Sequence, residues 1–403
     1  MTARRYGTLT MRTLTFTFPV ASLLLVGTAS AQYVEARNAG MGGVGTASSH
    51  YLAAGWANPA LLTRHREDDD FGLILPTLGA TAYDKDGLID DINDFVDEYD
   101  RVEALGSPTQ NDLNGLADRL EALDNRQVTG TLGVGVMLAI PSRRFGFALH
   151  VKSFGDLQSF LNVDPNDVAA LRNPASVGTL PTIQSEARVV GVAVSELGMS
   201  MATSFGDEGS RLSLGVTPKY QQVDTFNYGV TADNFDDGQF DDDQYRNDDS
   251  AFNVDLGVAW EIEGGLTLGA TGRNLIDNTY TTVDTLGQAF TYDVNPTATV
   301  GAAWRYGMLT LGGDLDVIVA DRFAQDDGLG KDDVRMARVG AELDLWRWLQ
   351  LRAGYQTDLE DTLDDAITAG LGISPFDVLH LGVAGTYIDD NSYGGVVQLG
   401  LTF

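Results

Sequence analysis

The sequence predicts an all-β protein, a 14-stranded antiparallel transmembrane β-barrel with a helical extracellular loop. Three observations predict it: an export signal with no later helical span, a period-two apolar pattern that recurs fourteen times, and connections that alternate between tight and long. The 403 residues include 26 basic and 57 acidic side chains, a formal net charge of −31, with 46 Gly and no Cys. A charge this negative repels phosphate backbones and excludes nucleic acid as a partner. The absence of Cys excludes a disulfide framework, a thiol zinc site and a Cys-x-x-Cys redox centre. At 43% hydrophobic residues the chain is not disordered as a whole.

Residues 1–31 read as a cleaved secretory signal peptide. Arg4, Arg5 and Arg12 precede an apolar stretch from Leu14 to Val26, and Ala29-Ser30-Ala31 supplies the small-residue cleavage pattern before Gln32. Met11 is an alternative initiator that preserves these features. The apolar part is too short to span a membrane comfortably. Cleavage leaves 23 basic and 57 acidic residues, net −34. No later apolar run approaches the ~20 residues of a spanning helix. An exported chain of this kind is a soluble β-protein or a β-barrel.

The last strand is the clearest. Val397, Leu399, Leu401 and Phe403 share one face, Gln398, Gly400 and Thr402 the other, and Tyr393 and Phe403 bracket the apolar side. That is the pattern of a lipid-facing barrel strand with interfacial aromatics, although a soluble sandwich strand alternates too. Phe403 also matches the terminal aromatic through which the barrel assembly machinery recognises bacterial outer-membrane barrels. Scanning from the start, strands are expected near 71–82, 130–140, 144–154, 186–205, 211–226, 250–262, 265–275, 293–305, 308–320, 333–345, 348–357, 365–373, 377–388 and 392–403. Fourteen is even, as single-chain bacterial barrels require. Glu196 interrupts the long fourth segment, which could instead be two short strands.

With the C-terminus in the periplasm, the inside turns are all short, and most outside loops are long: 83–129, 155–185, 227–249, 276–292, 321–332 and 358–364. A soluble sandwich has no reason to sort loop lengths by parity. The acids sort in the same way. Counted as 83–129, 155–185, 227–249, 276–292, 321–333, 358–365 and 389–391, the outside loops hold 38 acids and 8 bases, a net of −30. In the first of them, Leu88, Ile89, Ile92, Phe95, Val96 and Tyr99, then Leu113, Leu116, Leu120 and Leu123, recur at helical spacing. Two amphipathic helices over the barrel mouth are expected. Residues 233–249 hold eight Asp, but without EF-hand spacing. A solvated loop with at most weak divalent-cation binding is the reading.

On the lumen face, alternation places Asp314, Arg338, Glu342 and Arg352 on three consecutive strands as a polar ladder. Lys219, Asp255, Arg273, Asp344 and His380 face the same way. The ladder stabilises the wall or lines a solute path. No catalytic constellation, cofactor site or metal spacing is present: His50, His65, His150 and His380 are scattered, and Gly40–Gly45 lacks the Gly-Lys-Ser/Thr ending of a phosphate loop. An enzyme is not expected.

Residues 36–63 hold a glycine-rich stretch, a small-residue region and then Asn58-Pro59-Ala60. Pro59 fixes its own φ and biases Asn58 toward extended backbone. This segment resembles the amino-terminal hatch of the long-chain fatty-acid transporter (FadL-like) superfamily of outer-membrane β-barrels. The TraF-like plasmid-transfer branch is the most similar, through Phe71–Leu75 and Asp90–Phe95. The resemblance implies a hatch (32–70) inside the lumen of a barrel (71–403), in the bacterial outer membrane, in contact with its lipid. The function it implies is passive uptake of hydrophobic small molecules. The alternative is a non-transporting scaffold, conjugation- or secretion-associated, that acts through its acidic extracellular loops.

Overall fold

Antiparallel strands that place an apolar side chain outward at every second position can satisfy their backbones in lipid only by closing on themselves. The computed structural model closes them. It describes residues 35–64, 69–124, 126–174, 178–207, 209–231, 243–323 and 332–403. The expected signal peptide lies outside the described residues, as does the Asp-rich stretch from Asp233 to Asp242.

The barrel strands are β1 (Gly72–Tyr83), β2 (Gln127–Ile140), β3 (Phe145–Asn162), β4 (Glu186–Asp207), β5 (Ser210–Thr231), β6 (Arg246–Ile262) and β7 (Leu266–Arg273). A small hairpin follows, β8 (Asn278–Thr281) and β9 (Thr291–Val294). The barrel resumes with β10 (Thr297–Tyr306), β11 (Leu309–Asp316), β12 (Met336–Leu345), β13 (Leu349–Asp358), β14 (Ala366–Ile373), β15 (Leu379–Tyr387) and β16 (Tyr393–Thr402). Fourteen strands close into one antiparallel barrel, with β1 paired to β16 and β7 paired to β10 across the hairpin.

The outer face carries exposed Leu212, Leu214, Leu256, Val258, Leu351 and Val397. Such a continuous apolar surface is lipid-facing. Aromatics stack near the periplasmic ends, Trp304 on Tyr306 at 5.5 Å and Trp346 on Trp348 at 6.1 Å. Near the other rim, Tyr355 and Tyr387 donate hydroxyls to loop Asp365 (2.6 Å) and Asp390 (2.9 Å). Phe403 stacks on Phe71 at 5.0 Å, and its amide donates to the Phe71 carbonyl.

The wall is uneven in height. β4 and β5 have 22 residues each, whereas β7, β11 and β14 have 8. β4 is one strand, not two, because Glu196 points into the lumen and meets lysines there. The two expected helices form, Leu88–Ala104 and Gln110–Ala122, and a third, Pro165–Arg172, joins them. The first has no side-chain cap at its own Gly87; instead the Asp84 carboxylate accepts from the Leu88 (2.7 Å) and Ile89 (3.1 Å) amides. The second starts with a Thr109/Asp112 capping box. Leu88, Ile92, Leu113, Leu116, Leu120 and Leu171 bury one another in a core of their own above β2 and β3.

Candidate functional site

The lumen is filled from the periplasmic end by the hatch. Residues 36–63 form short helical turns: Ala36–Gly40, Tyr51–Ala53, Ala54–Ala57 and Pro59–Thr63. A segment this small can lie flat on the inner wall only where the wall lacks side chains. Inward glycines provide that room. A Cβ at Gly215 would strike the Pro59–Ala60 backbone, one at Gly257 the Asn58 side chain, and one at Gly354 the Met41–Gly42 backbone.

Asn58 is fully buried and links the hatch to the wall. Its Nδ2 donates to the carbonyls of Thr46 (2.7 Å) and of Val258 on β6 (3.0 Å). Its Oδ1 accepts from the Ala60 amide at 3.1 Å, and Pro59 opens the turn it caps. Ala60 packs without exposure between this turn and β5.

The expected ladder is divided by the hatch. Asp314 and Arg338 are cross-strand partners in register, as are Glu342 and Arg352. Only the second pair forms an ion pair, Arg352 Nε to Glu342 Oε2 at 2.8 Å. Arg338 turns to Asp316 instead, at 2.9 Å. Asp314 is occupied elsewhere: its Oδ2 accepts from the hatch amides of Gly45 (2.8 Å) and Thr46 (2.9 Å). Glu342 takes a hatch residue too, because the Arg37 guanidinium binds it in a fork at 2.8–3.1 Å. The physical reason is local. Two backbone N–H groups arrive with the hatch and make charge-assisted bonds to Asp314 Oδ2, while its Oδ1 has no hydrogen-bond partner among the described residues.

Other contacts follow the same rule. Arg64 donates to Glu261 (3.0 Å) and Thr267, and Arg273 on β7 donates to the Ala57 carbonyl at 2.7 Å. His380 and Asp344 stay within the wall, bonded to Ser374 and Thr402, and to Gln350. Above the hatch Lys219 joins Glu196 and Asp255, each at 3.0 Å, and Lys152 joins Glu196 at 3.2 Å. Sequence reasoning missed Arg37, Arg64 and Lys152. The signal for the first two was an excess of inward acids on the wall with no wall partner.

The extracellular end is filled as well. The β8–β9 hairpin folds inward, and Tyr280, Phe290, Tyr292 and Val294 pack on Val190, Val192, Val194 and Val223 of β4 and β5. Asn227 holds it through the carbonyls of Val283 and Gln288, both at 2.9 Å. Phe323 completes this cluster against Tyr292, ring centroids 5.2 Å apart. Asp156, placed by the sequence in an outside loop, is a lumen residue of the longer β3 and pairs with Arg322 at 3.0 Å.

Phe323 is held by Asp332, whose Oδ2 accepts its amide at 2.9 Å. Burial pushes the Asp332 carboxyl up to about 6, aided by nearby Asp321 and opposed by Arg322. The unfolded chain titrates near ~4. The docked segment is therefore most stable below pH ~4 and loses that stability as pH rises through its folded value. Asp332→Asn should remove the dependence. The check is the Phe323 amide protection factor, corrected for intrinsic exchange, from pH 4 to 7; a flat wild-type profile refutes it. Among the described residues Asp321, Asp332 and Asp333 are the one group of carboxylates close enough to share a cation, within 4.8 Å of one another.

The described residues line at least two cavities. One, of about 100 Å³, lies in the lumen beside the hairpin, against Tyr292 and Val294. A second, of about 420 Å³, indents the outer wall across β2–β5.

Comparison with known proteins agrees with this architecture. The family model described as "F plasmid transfer operon, TraF, protein" matches residues 55–316, more than half of the chain. None of the curated proteins compared matches it. The Ralstonia pickettii toluene transporter TbuX superposes with a TM-score of 0.55 at 12% identity, covering 94% of this chain and 100% of that one. The monoaromatic hydrocarbon channel CymD gives 0.52 at 12% identity, covering 94% and 98%. A Pseudomonas aeruginosa FadL homologue gives 0.51 at 13%, covering 92% and 98%. At such identities the likeness is one of fold. The closed barrel, its lipid-facing surface and the family match make this a bacterial outer-membrane protein, and the chain belongs to the family described as the F plasmid transfer operon TraF protein.

Proposed function

We propose that the barrel passively takes up hydrophobic small molecules across the outer membrane. The observation that carries this reading is the wall cavity of about 420 Å³. It exists because Ser153, Gly155, Gly191 and Ala193 offer little side chain on the outer face of β3 and β4. Leu132, Val134, Leu157 and Phe226 wall it, and among the described residues Asp224 and Arg246 supply its only charges. Size and apolar lining are those of a small-molecule site. The straight route through the lumen is blocked by hatch and hairpin, so a side pocket facing lipid suits a solute that leaves the protein into the bilayer. The structural relatives described as a toluene transporter and a monoaromatic hydrocarbon channel support the same substrate class.

The second reading, a non-transporting scaffold that acts through its acidic loops, is favoured by the lumen being filled from both ends. The test is uptake of labelled toluene by cells expressing the protein or an empty vector. Uptake should be several-fold faster with the protein. Ala193→Trp, which fills the cavity, should return it to the vector rate while the heat-dependent gel shift of the folded barrel is kept. Equal uptake by wild-type and vector cells overturns the transport reading and leaves the scaffold.

A further inference from the structure

The lumen cavity is more polar than the wall cavity, and among its described lining the unmet side-chain hydrogen-bonding atoms are three acceptors and one donor, Arg338 Nε. Asp156 is 3% exposed; Arg322 occupies its Oδ2 at 3.0 Å, and its Oδ1 makes no hydrogen bond to any group of the chain. Gln221 is fully buried; its Nε2 donates to Glu196 at 2.6 Å and to Asn274 at 3.3 Å, and its Oε1 is left without a donor. Asp321, half-buried at the upper edge, also has a bare Oδ1. All three residues line the one cavity of about 100 Å³. A buried acceptor with no donor is destabilising, so three around one space define what should fill it.

The filling group must donate more than it accepts. A primary ammonium is that group: three N–H donors, no acceptor and a positive charge. The charge balance agrees, because the lining holds four carboxylates (Asp156, Asp293, Asp316 and Asp321) against the three guanidiniums of Arg273, Arg322 and Arg338. The Tyr292 ring also lines the space and suits a cation, whereas Phe154 already has the Lys152 ammonium 4.9 Å from its ring centre. The volume limits the guest to a few heavy atoms, since an engineered cavity of ~150 Å³ is filled by benzene. The cavity reaches the extracellular rim at Ile318, which is 43% exposed beyond the short end of β11.

We propose that this lumen cavity binds the primary ammonium group of a small organic amine, held by Asp156, Gln221 and Asp321. The proposal is independent of whether apolar molecules cross the wall. It is tested on the full-length protein in detergent, by following thermal unfolding during titration with ethylammonium chloride. Tetramethylammonium chloride, with the charge but no N–H donor, and potassium chloride serve as arms at equal ionic strength. Ethylammonium alone should raise the unfolding temperature saturably. Asp321→Asn, at the edge of the cavity and outside the barrel strands, should weaken that response about tenfold while the gel shift is unchanged. Gln221→Met should abolish it. Equal shifts from all three salts, or no saturable shift with ethylammonium, overturn the proposal, as does an Asp321→Asn variant that binds ethylammonium as tightly as wild type.

Discussion

Glu342→Ala should release the hatch from the wall. The Glu342 carboxylate is the shared partner of Arg37 from the hatch and Arg352 from β13, with all three side chains between 8% and 11% exposed. Removing it leaves two nearly buried guanidiniums without a countercharge. Breaking a buried pair from one side costs about 3–5 kcal/mol. The loss falls on hatch docking, because the fourteen strands stay joined by their own backbone ladders. Trypsin should therefore cut the variant at Arg37 and Arg64, both protected in the wild type, while the folded band keeps its heat-dependent gel shift. Asp364→Ala is the control. Its pair with Lys85 is 42–51% exposed, and such pairs contribute only ~0–1 kcal/mol. If Glu342→Ala resists trypsin at Arg37 as wild type does, Asn58, Asp314 and the wall glycines hold the hatch without it.

The strands were legible in the sequence because lipid outside and a narrow lumen inside impose a strict period of two. Leu349, Leu351 and Tyr355 had to share a face whatever lay across the barrel. Strand ends were less legible. β3 runs to Asn162 and β5 to Thr231, beyond the expected limits, since above the membrane the outer face no longer has to be apolar. The lumen contacts were the least legible. Period two shows that Asp314 points inward, and it cannot show that two hatch amides meet it there. That contact joins residues 45 and 314 and depends on where the hatch lies. For the same reason the wall glycines read as generic small residues, though each marks where Asn58, Pro59 or Gly42 comes close. The β8–β9 hairpin escaped notice because four residues per strand are too few for a periodic signal.

Glu196→Met should be the most destabilising single change in the wall itself. Four charged groups meet in the middle of the tall side: Lys152, Glu196, Lys219 and Asp255, with side chains 4–12% exposed. They sum to zero. Gln221 adds a 2.6 Å hydrogen bond to Glu196. Without Glu196, Lys219 keeps Asp255 and Lys152 keeps only the Phe154 ring, 4.9 Å from its Nζ, so one ammonium remains buried without a paired carboxylate. The expected cost is about 3–5 kcal/mol, read as a fall in the temperature at which the folded band converts to the unfolded one. The double variant Lys152→Met/Glu196→Met restores neutrality and substitutes apolar volume for the pair. Replacements of that kind are often neutral or stabilising, so the double variant should recover most of what the single one loses. A double variant as unstable as Glu196→Met would place the cost in the lost Gln221 and Lys219 hydrogen bonds and not in the stranded charge. Recovery would mean that the wall needs a balanced sum at this level more than it needs these particular ions.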